Sequence, residues 1–201
     1  MEHLHYLNKY TGCMEEIKLR IQVIRGFISG ECNALYKQTT VESICIQIRK
    51  ILELIAMATL VANKEEYCLI NDRFHKEWNA QNILKDIEKL NVNFYPQPIK
   101  ILSPNNSEEI IEVQNLNNNS LSRSEFVELY KKCGGLLHAN NPFAESKKID
   151  EFLSVVPSWV NKIIDLLNSH SVHLSQDGIK IWVIMNNPKD GKVQATLMAL
   201  Q

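Results

Sequence analysis

The sequence predicts an α+β fold: a mainly helical body of about five helices, one inserted β-hairpin and one C-terminal β-hairpin. Three observations predict it. Apolar residues recur in steps of three and four over long stretches of the chain. Two short β-type runs flank a turn-rich segment near residue 105, and two more flank Asn187-Pro188-Lys189-Asp190-Gly191. The hydrophobic fraction, 45%, suits a globular chain that buries a core. Residues 1–201 are read as a single domain, with the helical body at about 1–95 and 120–170 and the hairpins at about 97–114 and 178–200.

Residues 13–28 place Met14, Ile17, Ile21, Ile24 and Ile28 on one helical stripe, and Gly26 and Gly30 weaken its end. Thr39 and Glu42 have capping-box spacing ahead of a long apolar helix over about 40–63. Ile44, Ile48, Ile51, Leu52, Ile55, Ala56, Thr59 and Leu60 give it a broad buried face, so it is expected to be the central helix. A third helix is expected over about 79–90. Pro96 and Pro98 then favour an extended strap. Residues 99–102 and 110–113 form the inserted hairpin around Ser103-Pro104-Asn105-Asn106-Ser107.

Ser122 and Glu125 again have capping-box spacing, opening a helix with Phe126, Leu129 and Tyr130 on one side. Gly134-Gly135 can end that helix with positive φ. Alternatively the helix continues through Leu136, Leu137 and His138, because paired glycines also let two helices approach closely. A last helix is expected over about 158–168, and residues 179–185 and 193–200 pair as the terminal hairpin. The two hairpins are expected to share one small sheet, since an isolated two-stranded ribbon is marginal in water.

The charge balance, 22 Lys and Arg against 23 Asp and Glu, gives a net charge of −1 and no global attraction to nucleic acid or an anionic membrane. The longest apolar run, Ile51 to Ala62, contains Glu53 and suits a buried helix better than a membrane span. No basic start followed by an apolar run marks a secretory signal. Five widely spaced cysteines without a Cys-x-x-Cys pair argue against a disulfide framework and a Cys-built zinc site. A cytoplasmic chain with reduced thiols is expected, with no metal and no cofactor. Phosphate loops, dinucleotide fingerprints, nucleophile elbows and His-Glu-x-x-His are absent from the sequence.

One segment concentrates groups able to do chemistry: Lys132, Cys133, His138, Asn140 and Asn141. His138 is a candidate catalytic acid or base or an anion ligand, with Lys132 neutralising a phosphate and the two amides fixing a substrate. The plain alternative is a histidine that caps a helix before an Asn-Asn-Pro turn. On the central helix Arg49 and Glu53 stand four apart and can pair. If that helix packs beside the His138 loop, both become candidate ligand-binding residues. Residues 71–79 interleave basic and aromatic side chains and could stack a base. The expectation there is a connecting segment with Trp78 in the core. His170 and His173 lack a nearby carboxylate or thiolate to complete a metal site.

Ile48-Arg49-Lys50-Ile51-Leu52-Glu53 followed by Cys133-Gly134-Gly135-Leu136-Leu137-His138-Ala139 resembles the helical HEPN superfamily and related abortive-infection proteins. The resemblance covers the helical half. It implies a dimeric helical protein of bacterial or phage conflict and, in catalytic members, RNA cleavage by an Arg, four to six residues, then His motif. Here no Arg stands at that spacing before His138; Lys132 does, with charge but without the planar bidentate fork. Three functions are therefore carried forward. The first is a protein-interaction or regulatory module of HEPN-like type acting in defence. The second is a metal-independent ribonuclease using His138. The third is a nucleotide or anion sensor. The partners expected are a second copy of the chain, another protein or RNA.

Overall fold

A computed structural model describes residues 2–64, 67–68, 76–102, 112–116, 119–139, 141–143, 148–174 and 179–199. Its first helix, α1 (Glu2–Ser29), starts well before the predicted stripe. Tyr10 extends that stripe by one more four-residue step, and Tyr10, Met14, Ile17, Ile21 and Ile24 are all buried. Ile28, expected on the same stripe, is exposed. Gly30, at φ +83°, follows the helix and turns the chain.

Helix α2 (Lys37–Ala62) begins three residues ahead of the expected start. The Thr39–Glu42 capping box does not form. Tyr36 is the N-cap and offers no side-chain cap, while the Thr39 hydroxyl donates to the carbonyls of Ala34 and Tyr36. Glu42 instead accepts from the Gln38 amide at 2.7 Å. As the periodicity predicts, α2 is central, and α1 and two later helices pack on it. Its face from Val41 through Leu60 is buried; each large aliphatic side chain taken from water contributes about 1.5–3 kcal/mol.

Helix α3 (Ala80–Leu90) is capped by Asn79, whose side chain accepts from the backbone of Gln81 and Asn82. Trp78 precedes the cap and is 63% exposed, which corrects its expected place in the core. The Glu77 carboxylate accepts the backbone N–H groups of Trp78 and Asn79, and so fixes the approach to the helix. The rest of the aromatic and basic stretch, residues 71–75, lies outside the described residues.

Helix α4 (Arg123–Leu137) carries the predicted capping box in full, with the Ser122 side chain and Glu125 satisfying each other's backbone N–H. Lys162 also binds Glu125 and, with those backbone donors, holds its carboxyl below the usual range. Gly134 and Gly135 do not end α4; neither has a positive φ, and the helix runs on to Leu137. Helix α5 (Ile149–Leu167) starts nine residues before the expected Ser158 and contains Pro157. The row Phe152, Val156, Val160, Ile163 and Leu167 is buried on both sides of that proline. Such burial outweighs the roughly 3 kcal/mol that an interior proline costs a helix.

The strands are β1 (Gln97–Leu102), β2 (Glu112–Asn115), β3 (Ser169–His173), β4 (Ile179–Ile184) and β5 (Gln194–Ala199). They form one antiparallel sheet in the order β2-β1-β3-β4-β5. The inserted hairpin pairs Ile99 with Asn115 and Leu102 with Glu112, and its connection lies outside the described residues. The terminal hairpin turns at Asn187–Gly191, where Gly191 has φ +70°.

The sequence reading does not anticipate β3, the strand that unites the two hairpins. Its residues Ser-His-Ser-Val-His read as polar, yet His170, Ser171 and Val172 are buried. His170 is satisfied on both ring nitrogens: the Tyr10 hydroxyl lies 2.8 Å from Nε2 and the Leu167 carbonyl 2.8 Å from Nδ1. Since a carbonyl only accepts, Nδ1 carries the proton and Tyr10 donates to Nε2. Helix α5 lies on the sheet through β1 and β3. No helix among the described residues is long and apolar enough to cross a membrane.

Candidate functional site

Helix α4 presents different chemistry on opposite sides. On one side Gly134 faces α2, where Arg49 fills the space beside it. The Arg49 guanidinium donates to the Tyr130 carbonyl at 3.0 Å and lies 3.9 Å from the centroid of the Tyr130 ring. Its Nη2 is 3.9 Å from Glu53 Oε1, and the Tyr130 hydroxyl donates to the same oxygen at 3.3 Å. A Cβ added at Gly134 would stand 2.8 Å from Arg49 Nη1. A side chain at Gly134 would therefore require the Arg49 guanidinium to move. Burial, the largest cause, pushes the Tyr130 hydroxyl above its ordinary range.

Arg49 and Glu53 therefore meet, as their spacing predicts, and Tyr130 and Gly134 complete the cluster. Sequence reading names both of those residues without seeing their role. The available signal was the i,i+4 relation of Tyr130 to Gly134, matched by that of Arg49 to Glu53. Cys133, on the same interface, is no nucleophile. A hydrogen bond with Cys45, together with burial, pushes its thiol far above the ordinary range.

Lys132 stands roughly 200° around α4 from Tyr130. It is exposed, has no ion-pair partner among the described residues, and faces a hollow of about 250 Å³ between α4 and α5. Gly135, Leu136 and Phe152 form the rest of its wall, and Lys148 and Glu151 pair across its edge at 3.3 Å. His138 is the C-cap of α4, with φ −73° and ψ 150°, and is exposed. Asn141 is exposed and its side chain accepts from the Phe143 backbone at 3.0 Å, forming a local turn. Asn140 lies outside the described residues. The structure thus groups Arg49 with Glu53 inside the helix interface. It sets Lys132, His138 and Asn141 around the C-terminal end of α4.

That end carries a further feature invisible to sequence reading. The ion pair of Lys37 with Asp150 ties the start of α2 to the start of α5, next to the Lys132 hollow. Just before Lys37 stand Leu35, 93% exposed, and Tyr36, 60% exposed; Phe143, between α4 and α5, is 97% exposed. Leu35 has φ +74°, the only positive φ of a non-glycine residue among those described. A leucine held there carries about 1–2 kcal/mol of backbone strain that glycine would not.

Comparison with known proteins adds no relative: no family model, no curated protein and no solved structure matches the chain.

Proposed function

We propose that this chain is a non-catalytic interaction module of HEPN-like helical type, and that it joins a second copy of itself through the end of the helical body at Leu35, Tyr36 and Phe143. The observation that carries this reading is Leu35: a large apolar side chain, almost wholly in solvent, on a backbone conformation that leucine disfavours. The Leu35 side chain is 93% exposed among the described residues, and strain of this kind collects at functional positions. Leu35 and Tyr36 stand exposed together ahead of α2, and Phe143 is exposed between α4 and α5; large exposed apolar side chains are the ordinary core of a binding patch.

A second copy suits the charges. The patch presents Lys37 and Lys132 beside Asp150 and Glu151. A two-fold interface sets a surface against itself, so a patch of mixed sign is self-complementary. RNA cleavage has less support. Arg49, one of the two cations that could stabilise charge beside His138, is engaged by Tyr130 and Glu53 between helices. Lys132 stands on the other side of α4.

Light scattering at micromolar concentration tests the proposal on wild-type protein, Leu35→Gly and Phe143→Ser. The wild type is expected to be dimeric and both variants to shift to monomer. A monomeric wild type at high micromolar concentration rejects self-association. Incubation with total RNA, beside His138→Ala, tests the enzymatic alternative. Cleavage lost in that variant would favour the nuclease over the module.

A further inference from the structure

Helix α1 carries a second surface that the interaction patch does not use. Lys18, Ile21, Gln22 and Arg25 recur at steps of three, one and three, so they share one face of the helix. With the C-terminal turn of α5 and the residues after β4 they enclose a hollow of about 160 Å³. Its floor is apolar: Ile21, Leu167 and Met185 are buried beneath it. Its rim is polar: Gln22, Arg25, Asn168 and Asn186.

None of those four rim side chains forms a hydrogen bond or ion pair within the protein among the described residues. Lys18 differs, since it donates to the Gly191 carbonyl at 2.6 Å and pairs with Glu15 at 3.2 Å. No carboxylate among the described residues lines the hollow. One uncommitted guanidinium and three uncommitted amides therefore surround a greasy floor.

The geometry points to a binding site for a small cyclic anion, whose ring lies on Ile21, Leu167 and Met185 while its anionic group meets Arg25. The volume sets the ring size, because a cavity of about 150 Å³ accommodates a benzene ring. Guanidinium binds a carboxylate or a phosphate through two parallel hydrogen bonds, so one arrangement serves either anion. The amides at Gln22, Asn168 and Asn186 offer both donors and acceptors, which suits ring nitrogens and exocyclic groups. This site is separate from the end of the body that joins two copies. Its test is therefore independent of self-association.

The experiment uses the full chain in thermal-shift and calorimetric titrations with four probes: phenyl phosphate, phenol, inorganic phosphate and benzoate. The first and last carry ring and anion together, one as phosphate and one as carboxylate. The other two carry one part each. At least one ring-bearing anion is expected to raise the midpoint by roughly 4 °C at ten times its dissociation constant. Phenol and phosphate are expected to bind at least about tenfold more weakly. Arg25→Ala should weaken the binding anion roughly tenfold or more and leave the unliganded midpoint unchanged, because Arg25 has no partner to lose among the described residues. Asn186→Ala is the second variant, also at an exposed position. The site is rejected if neither ring-bearing anion shifts the midpoint. It is also rejected if binding survives both substitutions undiminished.

Discussion

Replacing Gly134 by alanine sets two opposed effects against each other. Alanine is better than glycine inside a helix by about 0.8–1 kcal/mol. At Gly134, however, the new methyl would stand 2.8 Å from Arg49 Nη1, closer than carbon tolerates. The guanidinium must withdraw, and it leaves its hydrogen bond to the Tyr130 carbonyl and its place over the Tyr130 ring. A hydrogen bond from a charged donor contributes about 1.5–3 kcal/mol, and a partly buried cation–π contact about 0.5–1 more. The expected balance is a net loss of about 1–3 kcal/mol, at roughly 2–4 °C in midpoint per kcal/mol for a chain of this size. Gly135 is the internal control: nothing lies within 4 Å of its added Cβ, so Gly135→Ala should stabilise by up to about 1 kcal/mol. In an Arg49→Ala background, Gly134→Ala should become stabilising as well. Urea denaturation of the four proteins in that cycle, beside Gly135→Ala, measures the coupling. If Gly134→Ala stabilises wild-type protein as much as Gly135→Ala does, the glycine is not there for the arginine.

Three further outcomes follow from individual side chains. At a concentration low enough to keep both proteins monomeric, Leu35→Gly should raise stability by about 1 kcal/mol in chemical denaturation, since glycine removes the strain at φ +74° and a leucine exposed in the single chain loses no packing; an unchanged or lower stability would contradict the strain assigned there. Burial holds His170 down to about 4 in the folded protein, against about 6.5 when unfolded. Because the folded value is the depressed one, the unfolded chain binds the proton first as pH falls, and stability drops between about pH 6.5 and 4. The loss by pH 4.5 should reach about 2–3 kcal/mol, and His170→Gln should flatten that part of the profile; an equally steep profile in the variant would point to other groups. Ser122→Ala should cost about 1 kcal/mol, because it leaves the Glu125 N–H without its cap, and an unaltered denaturation midpoint would show the cap to be idle.

How far the sequence reveals this fold depends on which interactions are local. The capping box at Ser122 and the stripe of α2 are legible because their partners lie within a few residues. The same local rules fail at Thr39, where the Ala34 and Tyr36 carbonyls take the hydroxyl. They fail again at Pro157, where burial on both sides overrides a poor helix residue. Strand β3 is illegible for a third reason. His170 looks like a solvated residue until Tyr10, 160 positions away in the chain, supplies its partner. The Arg49–Glu53 pair could be read from spacing alone, whereas the stacking of Arg49 on Tyr130 needs the packing of α2 on α4. The strain at Leu35 is a backbone angle, and no residue pattern records it.

Gly134 and Gly135 look alike in the sequence but serve two sides of one helix. The first admits a cation into a helix interface, and the second leaves the wall of the Lys132 hollow open. A substitution at either site therefore reads a different property. Gly134→Ala perturbs the contact between α2 and α4, and its effect on self-association should track its effect on stability. Gly135→Ala strengthens the helix while placing a methyl in the hollow beside the proposed contact patch. A partner that enters that hollow would bind this more stable protein less well. Opposite signs for stability and association in Gly135→Ala would locate the interface against α4 and α5. Should association rise with stability instead, the hollow lies outside the contact, and Leu35 and Phe143 carry it without Lys132.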